Sequence, residues 1–249
     1  EDQRTPMCGV PYHSADAYIA RLIARGYKIA ICEQMEDPAT AKGLVDRDII
    51  RIVTPGTLME SAMLEEGRNN FLAAVCLEGA SAGVCFCDIS TGEVSASAFT
   101  GAGWEEHLFN ELGRFSPREA LLNAAAWDCQ DLRDFLNFRL ECRCEQGKED
   151  DFAPGRARAL CQKQFRAGLD GLPPEGEYAV RACGGLLTYL YETQKTDLSH
   201  LTAFHYCAGG EFMELDLTAR RNLELTETLR GKEKKGSLLW VVGKTRTAM

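Results

Sequence analysis

Asp88, which runs into Ile89-Ser90-Thr91-Gly92-Glu93, is the acid best placed by its neighbours to do chemistry. A carboxylate at a strand end beside a second acid could hold a divalent metal that clamps an in-line phosphoryl displacement, the chemistry of metal-dependent nucleases. On a mixed sheet such enzymes also need an aspartate within the first strand. The first β-like run, Phe71–Leu77, contains no carboxylate, and Glu93 is the only obvious acidic neighbour of Asp88. An aspartate before Ser-Thr-Gly can equally cap a turn, so Asp88 is either a turn cap or a remnant of metal chemistry. Cys85-x-Cys87 and Cys142-x-Cys144 could each offer two thiolates to zinc if they lie on strands, where residues i and i+2 share a face. Two more ligands would be needed, no Cys-x-x-Cys occurs, and His107 falls in a separate helical pattern. With 11 cysteines, an odd count, buried free thiols acting as small hydrophobes are the expectation. No phosphate loop of the form Gly-x-x-x-x-Gly-Lys-Ser/Thr, no strand followed by Gly-x-Gly-x-x-Gly and no Gly-x-Ser-x-Gly occurs, so neither nucleotide binding nor a serine nucleophile is encoded.

The elements that must carry these residues can be read from hydrophobic period. Ala15, Tyr18, Ile19, Leu22 and Ile23 recur at helical spacing between His13 and Arg25, with Ser14 at the N-cap position and Gly26 where a helix should end. Lys28–Cys32 and Ile49–Val53 read as short buried strands around a polar loop, and Pro55-Gly56 then breaks the chain. Phe71–Leu77, Gly83–Ile89 and Val94–Phe99 form an antiparallel meander through two short glycine-containing loops. Next come a helix at Trp104–Leu112, a strand at Glu119–Leu122, a helix at Asp131–Phe138 and a strand at Arg139–Cys142. Helices at Arg156–Phe165 and Tyr178–Glu192 and a last strand at Ala203–Cys207 complete the pattern. Three antiparallel strands followed by helix-linked parallel ones predict an α/β fold, a ribonuclease H-like mixed sheet covered by helices. A partial α+β domain precedes it and the start of a helical domain follows, with Leu215–Leu229 as a charged helix and Arg230–Gly236 as an exposed basic loop.

Composition narrows the function classes. A chain of 249 residues with 45% hydrophobic and 26% charged residues is ordinary globular material with room for more than one core. No apolar run reaches the ~18 residues of a membrane span, and Glu1-Asp2-Gln3-Arg4 does not open a secretory signal. The net charge of −9 is unevenly spread: residues 1–55 carry −1, residues 56–210 carry −10 and residues 211–249 carry +2. Nucleic-acid contact is therefore compatible with the ends and disfavoured in the middle.

Several strings, in order along the chain, closely resemble the bacterial MutS family of DNA mismatch repair. They are Pro6-Met7-Cys8-Gly9-Val10-Pro11-Tyr12-His13, Ile31-Cys32-Glu33-Gln34 with Asp37-Pro38-Ala39, and Arg51-Ile52-Val53-Thr54-Pro55-Gly56-Thr57. Asp88-Ile89-Ser90-Thr91-Gly92, Met213-Glu214-Leu215-Asp216 and Arg220-Arg221-Asn222-Leu223-Glu224 are similar to that family as well. The resemblance implies that residues 1–55 are the C-terminal part of a mismatch-recognition domain, 56–66 a linker, 67–210 a connector domain and 211–249 the start of a core domain. It implies a fragment that binds and relays conformational change, with no catalytic residue, no metal and no cofactor of its own. ATP and magnesium would belong to the ATPase domain of the full-length protein, beyond Met249, and the Phe-x-Glu element that reads the mispair would precede Glu1. The partners implied are mismatched double-stranded DNA for the full-length protein and MutL at the connector, with a homodimer at full length, a monomer for the fragment, and a cytoplasmic location without a membrane.

By the same resemblance the turn Met7-Cys8-Gly9-Val10-Pro11 approaches DNA beside the mismatch, His13 and Arg47 are contacts to the backbone, and Arg51 is a second arginine candidate. A tight glycine and proline turn could enter a widened minor groove, where apolar wedges assist kinking. Val10 and Pro11 could instead pack under the helix that starts at Ala15, and His13 could be a local cap partner. Two other function classes stay open: a metal-dependent nuclease on the ribonuclease H-like sheet, and a stand-alone interaction module.

Overall fold

A computed structural model describes residues 10–36, 45–59, 63–64, 69–195, 197–208 and 215–243. The N-terminal unit opens with a 3-10 turn over Tyr12–Ser14 that runs into α1, Ala15–Ile23. Ser14 occupies the N-cap position, but its side chain caps nothing: the preceding turn holds it at φ −103° and ψ −7°, not in the extended conformation a capping serine adopts. Gly26, at φ +78°, ends the turn after α1 in a left-handed conformation that glycine adopts freely. Two strands follow, β1 at Ile29–Gln34 and β2 at Arg47–Val53, paired antiparallel from Ile29 opposite Val53 to Gln34 opposite Arg47, with a bulge after Ile31. The expected burial of β1 is corrected, because the two-stranded sheet has one covered face. Ile29 and Ile31 turn toward Ile19, Ile23, Val53 and Leu58, while Ala30 and Cys32 are exposed.

The second sheet has six strands. β3 (Leu72–Glu78), β4 (Ser81–Asp88) and β5 (Glu93–Thr100) form the antiparallel meander. α2 (Trp104–Phe115) returns the chain to β6 (Glu119–Leu122), which lies parallel to β3. Short helices α3 (Ala124–Asp128) and α4 (Gln130–Asp134) lead to β7 (Arg143–Gln146), parallel to β6. α5 (Pro154–Gln164) and α6 (Gly176–Gln194) then cover the other face, and β8 (His205–Tyr206) pairs in parallel with β5. The order β7-β6-β3-β4-β5-β8 is the ribonuclease H-like plan with one strand added at its edge. The mixed α/β architecture expected from the sequence is the one observed.

Period two explains the division of the core. From β3, Leu72, Ala74 and Cys76 face α5 and α6, whereas Ala73, Val75 and Leu77 face α2 and α4, where they meet Leu108, Leu112, Leu132 and Leu136. The face under α6 is built from small residues, and that allows the helix to sit almost on the strands. A Cβ on Gly83 of β4 would lie 2.0 Å from the Tyr178 carbonyl oxygen of α6. Gly185, within α6, admits the Phe152 ring in the same way, since a Cβ there would lie 2.6 Å from it. Each helical glycine costs about 1 kcal/mol of helix propensity, which close packing offsets.

Three element boundaries differ from the sequence expectation. The strand expected at Arg139–Cys142 is displaced to β7, because Phe135–Arg139 continues α4 as a π-turn that buries Leu136. β7 carries polar residues because it is an edge strand, and so lacked the apolar signature. The helix expected over Leu215–Leu229 shortens to α7, Leu217–Asn222, capped by the Asp216 carboxylate. Leu223 is exposed, so the apolar stripe has nothing to pack against there, and short helices are marginal without tertiary packing. A five-residue helix α8, Leu238–Val242, follows the basic loop. The last strand narrows to β8, with Ala203 bridging Ala167 in isolation.

Substituting Gly83→Ala should reduce stability by about 2 kcal/mol or more in urea unfolding, since the new methyl must displace the backbone of α6. An unchanged midpoint would contradict this packing.

Candidate functional site

Of the residues singled out as DNA contacts, Met7, Cys8 and Gly9 lie outside the described residues. Val10 and Pro11 are exposed at the entrance to the 3-10 turn, where the Pro11 carbonyl accepts a hydrogen bond of 2.9 Å from the Ser14 N–H. Their side chains are not packed under α1, and His13 is exposed beside them. Arg47 opens β2, exposed and paired through its backbone with Gln34. Arg51 stands four residues further along β2, about 13 Å away, and its surroundings are different. Its Nε donates to Gln194 Oε1 of α6 at 3.1 Å and a terminal nitrogen donates to the Thr57 carbonyl at 3.2 Å. The geometry gives Arg47 a solvent-facing guanidinium and uses Arg51 inside the molecule.

Arg51 belongs to a junction that sequence reasoning did not single out. Its centre is Glu119, the first residue of β6, whose carboxylate is fully buried. The Thr54 hydroxyl and the Gly56 N–H donate to Oε2, the latter at 3.0 Å, and the Tyr189 hydroxyl of α6 donates to Oε1 at 2.7 Å. Lys28 lies 3.7 Å from Oε1, donates to the Tyr189 hydroxyl at 2.9 Å and pairs with Glu145 of β7. Burial lowers the Lys28 pKa, with Glu119 acting in the opposite sense. Burial, followed by the charge of Glu119, raises the Tyr189 phenol well above its ordinary range and keeps it a donor. An unpaired carboxylate in such a place would cost several kcal/mol; here donors from the turn after β2 and from α6 converge on it, with Lys28 beside them.

The turn between the two sheets is shaped to reach this acid. The Thr57 hydroxyl accepts from the Thr54 N–H at 3.0 Å and lies 2.9 Å from the Thr54 hydroxyl. A Cβ on Gly56 would lie 2.9 Å from the Glu119 Cβ, so only glycine passes there unshifted. Asn70 holds the far side, donating to the Pro55 carbonyl at 3.0 Å, while Gln194 donates to the Ile52 carbonyl. The sequence signal was present but faint: one acid, Glu119, heading an otherwise apolar strand.

Asp88 resolves as a cap. Its Oδ2 accepts from the Asn70 N–H at 2.9 Å, and Oδ1 accepts from the Ser90 N–H at 2.9 Å and the Ser90 hydroxyl at 2.6 Å. With its carboxylate turned to these donors and Glu119 held by the junction, the acids do not converge. Among the described residues no group of three or more His, Cys, Asp or Glu is placed to hold a metal ion. The nuclease alternative is therefore not supported. Cys85 and Cys87 lie buried on the α6 face of β4, and burial pushes the Cys87 thiol far up. The Cys142 thiol donates to the Arg143 carbonyl and the Cys144 thiol, on β7, to the Cys142 carbonyl; the proximity of the two thiols raises the pKa of the first and lowers that of the second. Among the described residues no helix is long and apolar enough to cross a membrane.

Comparison with known proteins gives two family matches, to MutS domain I over residues 1–62 and to MutS domain II over residues 70–202. The DNA mismatch repair protein MutS of Ruminiclostridium cellulolyticum is 44% identical over 248 residues, covering 100% of this chain and 28% of its own length. The proteins of the same name from Acetivibrio thermocellus and Halalkalibacterium halodurans are 45% and 46% identical, again over 100% of this chain and over 28% and 27% of theirs. The chain thus spans a little over a quarter of the length of these relatives.

Removing the central acid tests the junction. Glu119→Ala leaves the Thr54, Gly56 and Tyr189 donors unmatched and should cost about 3 kcal/mol. Amide exchange should accelerate selectively in β1 and β2, with the amides of β3 to β5 still protected. Uniform acceleration of both sheets would contradict a junction role.

Proposed function

Because the chain belongs to the MutS family, we propose that it is the stretch of a DNA mismatch recognition protein that couples the domain touching DNA to the rest of the molecule. The observation that carries this reading is the Glu119 junction, which joins the unit bearing Val10, Pro11, His13 and Arg47 to the sheet and to the long helix α6. Met7, Cys8, Gly9, Val10 and Pro11 approach the mispaired duplex, His13 and Arg47 meet its phosphates, and Arg51 transmits the position of β2 to α6 through Gln194. The stretch itself catalyses nothing. In the full-length protein, ATP and magnesium act at a separate ATPase domain, and the change they drive reaches the DNA-touching unit through this junction. The acidic part of the chain, −10 over residues 56–210, repels phosphate and is suited to a protein partner with a basic patch, for which MutL is the candidate. Full-length protein forms a homodimer in the cytoplasm, while the stretch alone is a monomer.

The contact assignment is tested by fluorescence anisotropy of the chain with a duplex containing one mispair, titrated across salt. Arg47→Ala should weaken binding and flatten the slope of log K against log salt by about 0.9, the loss of one phosphate contact. An unchanged slope would remove Arg47 from the interface.

A further inference from the structure

A second cationic surface lies away from the N-terminal unit. α2 and the segment from α7 to α8 enclose a cleft of about 410 Å³ lined by Arg114, Arg220, Arg221, Lys232 and Lys234, with Glu227 as the carboxylate on its wall. The chain as a whole carries −9, and the cleft draws four of its cations from the stretch 211–249, which carries +2. Among the described residues, none of Arg220, Arg221, Lys232 and Lys234 forms an ion pair with a carboxylate. Arg114 is partly neutralised by Glu111 at 3.3 Å. Burial, and then the charge of Arg114, depress the Arg220 pKa, with Glu111 opposing. Guanidinium groups are brought together and partly desolvated at a cost, which an anion between them would offset.

We propose that this cleft is an anion site that takes a phosphate group. Three guanidinium forks match phosphate oxygens in pairs, and the two lysines add point charges at the rim. The volume suits a nucleotide-sized anion or one phosphate of a backbone lying across the opening. The loop that supplies Lys232 and Lys234 also exposes Arg230 and Lys235 outside the cleft, which extends the positive field to solvent. The two sources of such a group, a free polyphosphate and a nucleic-acid backbone, make the same contacts here.

Calorimetric titration of the chain with inorganic pyrophosphate, and separately with a short DNA duplex, distinguishes them. Arg220→Gln with Lys232→Gln should weaken binding about a hundredfold, tenfold for each charge-assisted pairing lost. Lys232→Glu with Lys234→Glu, confined to the exposed loop, gives the same answer if the first variant misfolds. Duplex that displaces pyrophosphate identifies a backbone phosphate as the ligand, and pyrophosphate bound without such displacement identifies a free one. Absence of binding by both probes, or binding that neither variant weakens, overturns the site.

Discussion

A carboxylate sealed from water needs donors, and in this chain the donors of Glu119 are supplied by parts distant in sequence. Thr54 and Gly56 belong to the turn after β2, Tyr189 to α6 and Lys28 to the approach to β1. Each alone is an ordinary interaction worth about 1 to 3 kcal/mol. Together they form a constraint, because displacing the N-terminal unit would leave the acid unpaired in the interior. Most of the organisation between the two sheets depends on that penalty. Arg51, Asn70 and Gln194 extend the same contact to either side.

The six-stranded sheet supplies the rigidity that makes such a constraint useful. β6 presents Glu119 at its first position and is paired on both edges, to β3 and β7. α6 presents Tyr189 and Gln194 from a helix held almost in backbone contact with β4 by Gly83 and against Phe152 by Gly185. A movement of β2 therefore meets two elements that cannot yield independently. Such an arrangement can carry a displacement of β2 into β6 and α6.

Much of the fold was legible because the second sheet obeys local rules. Apolar runs of strand length, glycine turns between them and the long patterns of α2, α5 and α6 each pointed to the same architecture. Reading failed where tertiary context decides. β7 is polar because it is an edge, and α7 stops early because nothing covers Leu223. The candidate DNA contacts were named on a different ground. Val10, Pro11, His13, Arg47 and Arg51 were reached through likeness to a family and not from chemistry, since a single arginine such as Arg47 carries no signature in sequence. The junction escaped notice because its partners are 65 and 70 residues from Glu119 along the chain, and only the folded backbone brings them together.

The buried acid holds the N-terminal unit and the six-stranded sheet together. Residual dipolar couplings of backbone amides measure this directly, since they report the orientation of each unit against a common frame. Couplings from β1 and β2 and from β3 to β6 should fit a single alignment tensor of one magnitude. Two tensors, with a smaller magnitude for the N-terminal unit, would show the units reorienting independently and would contradict it.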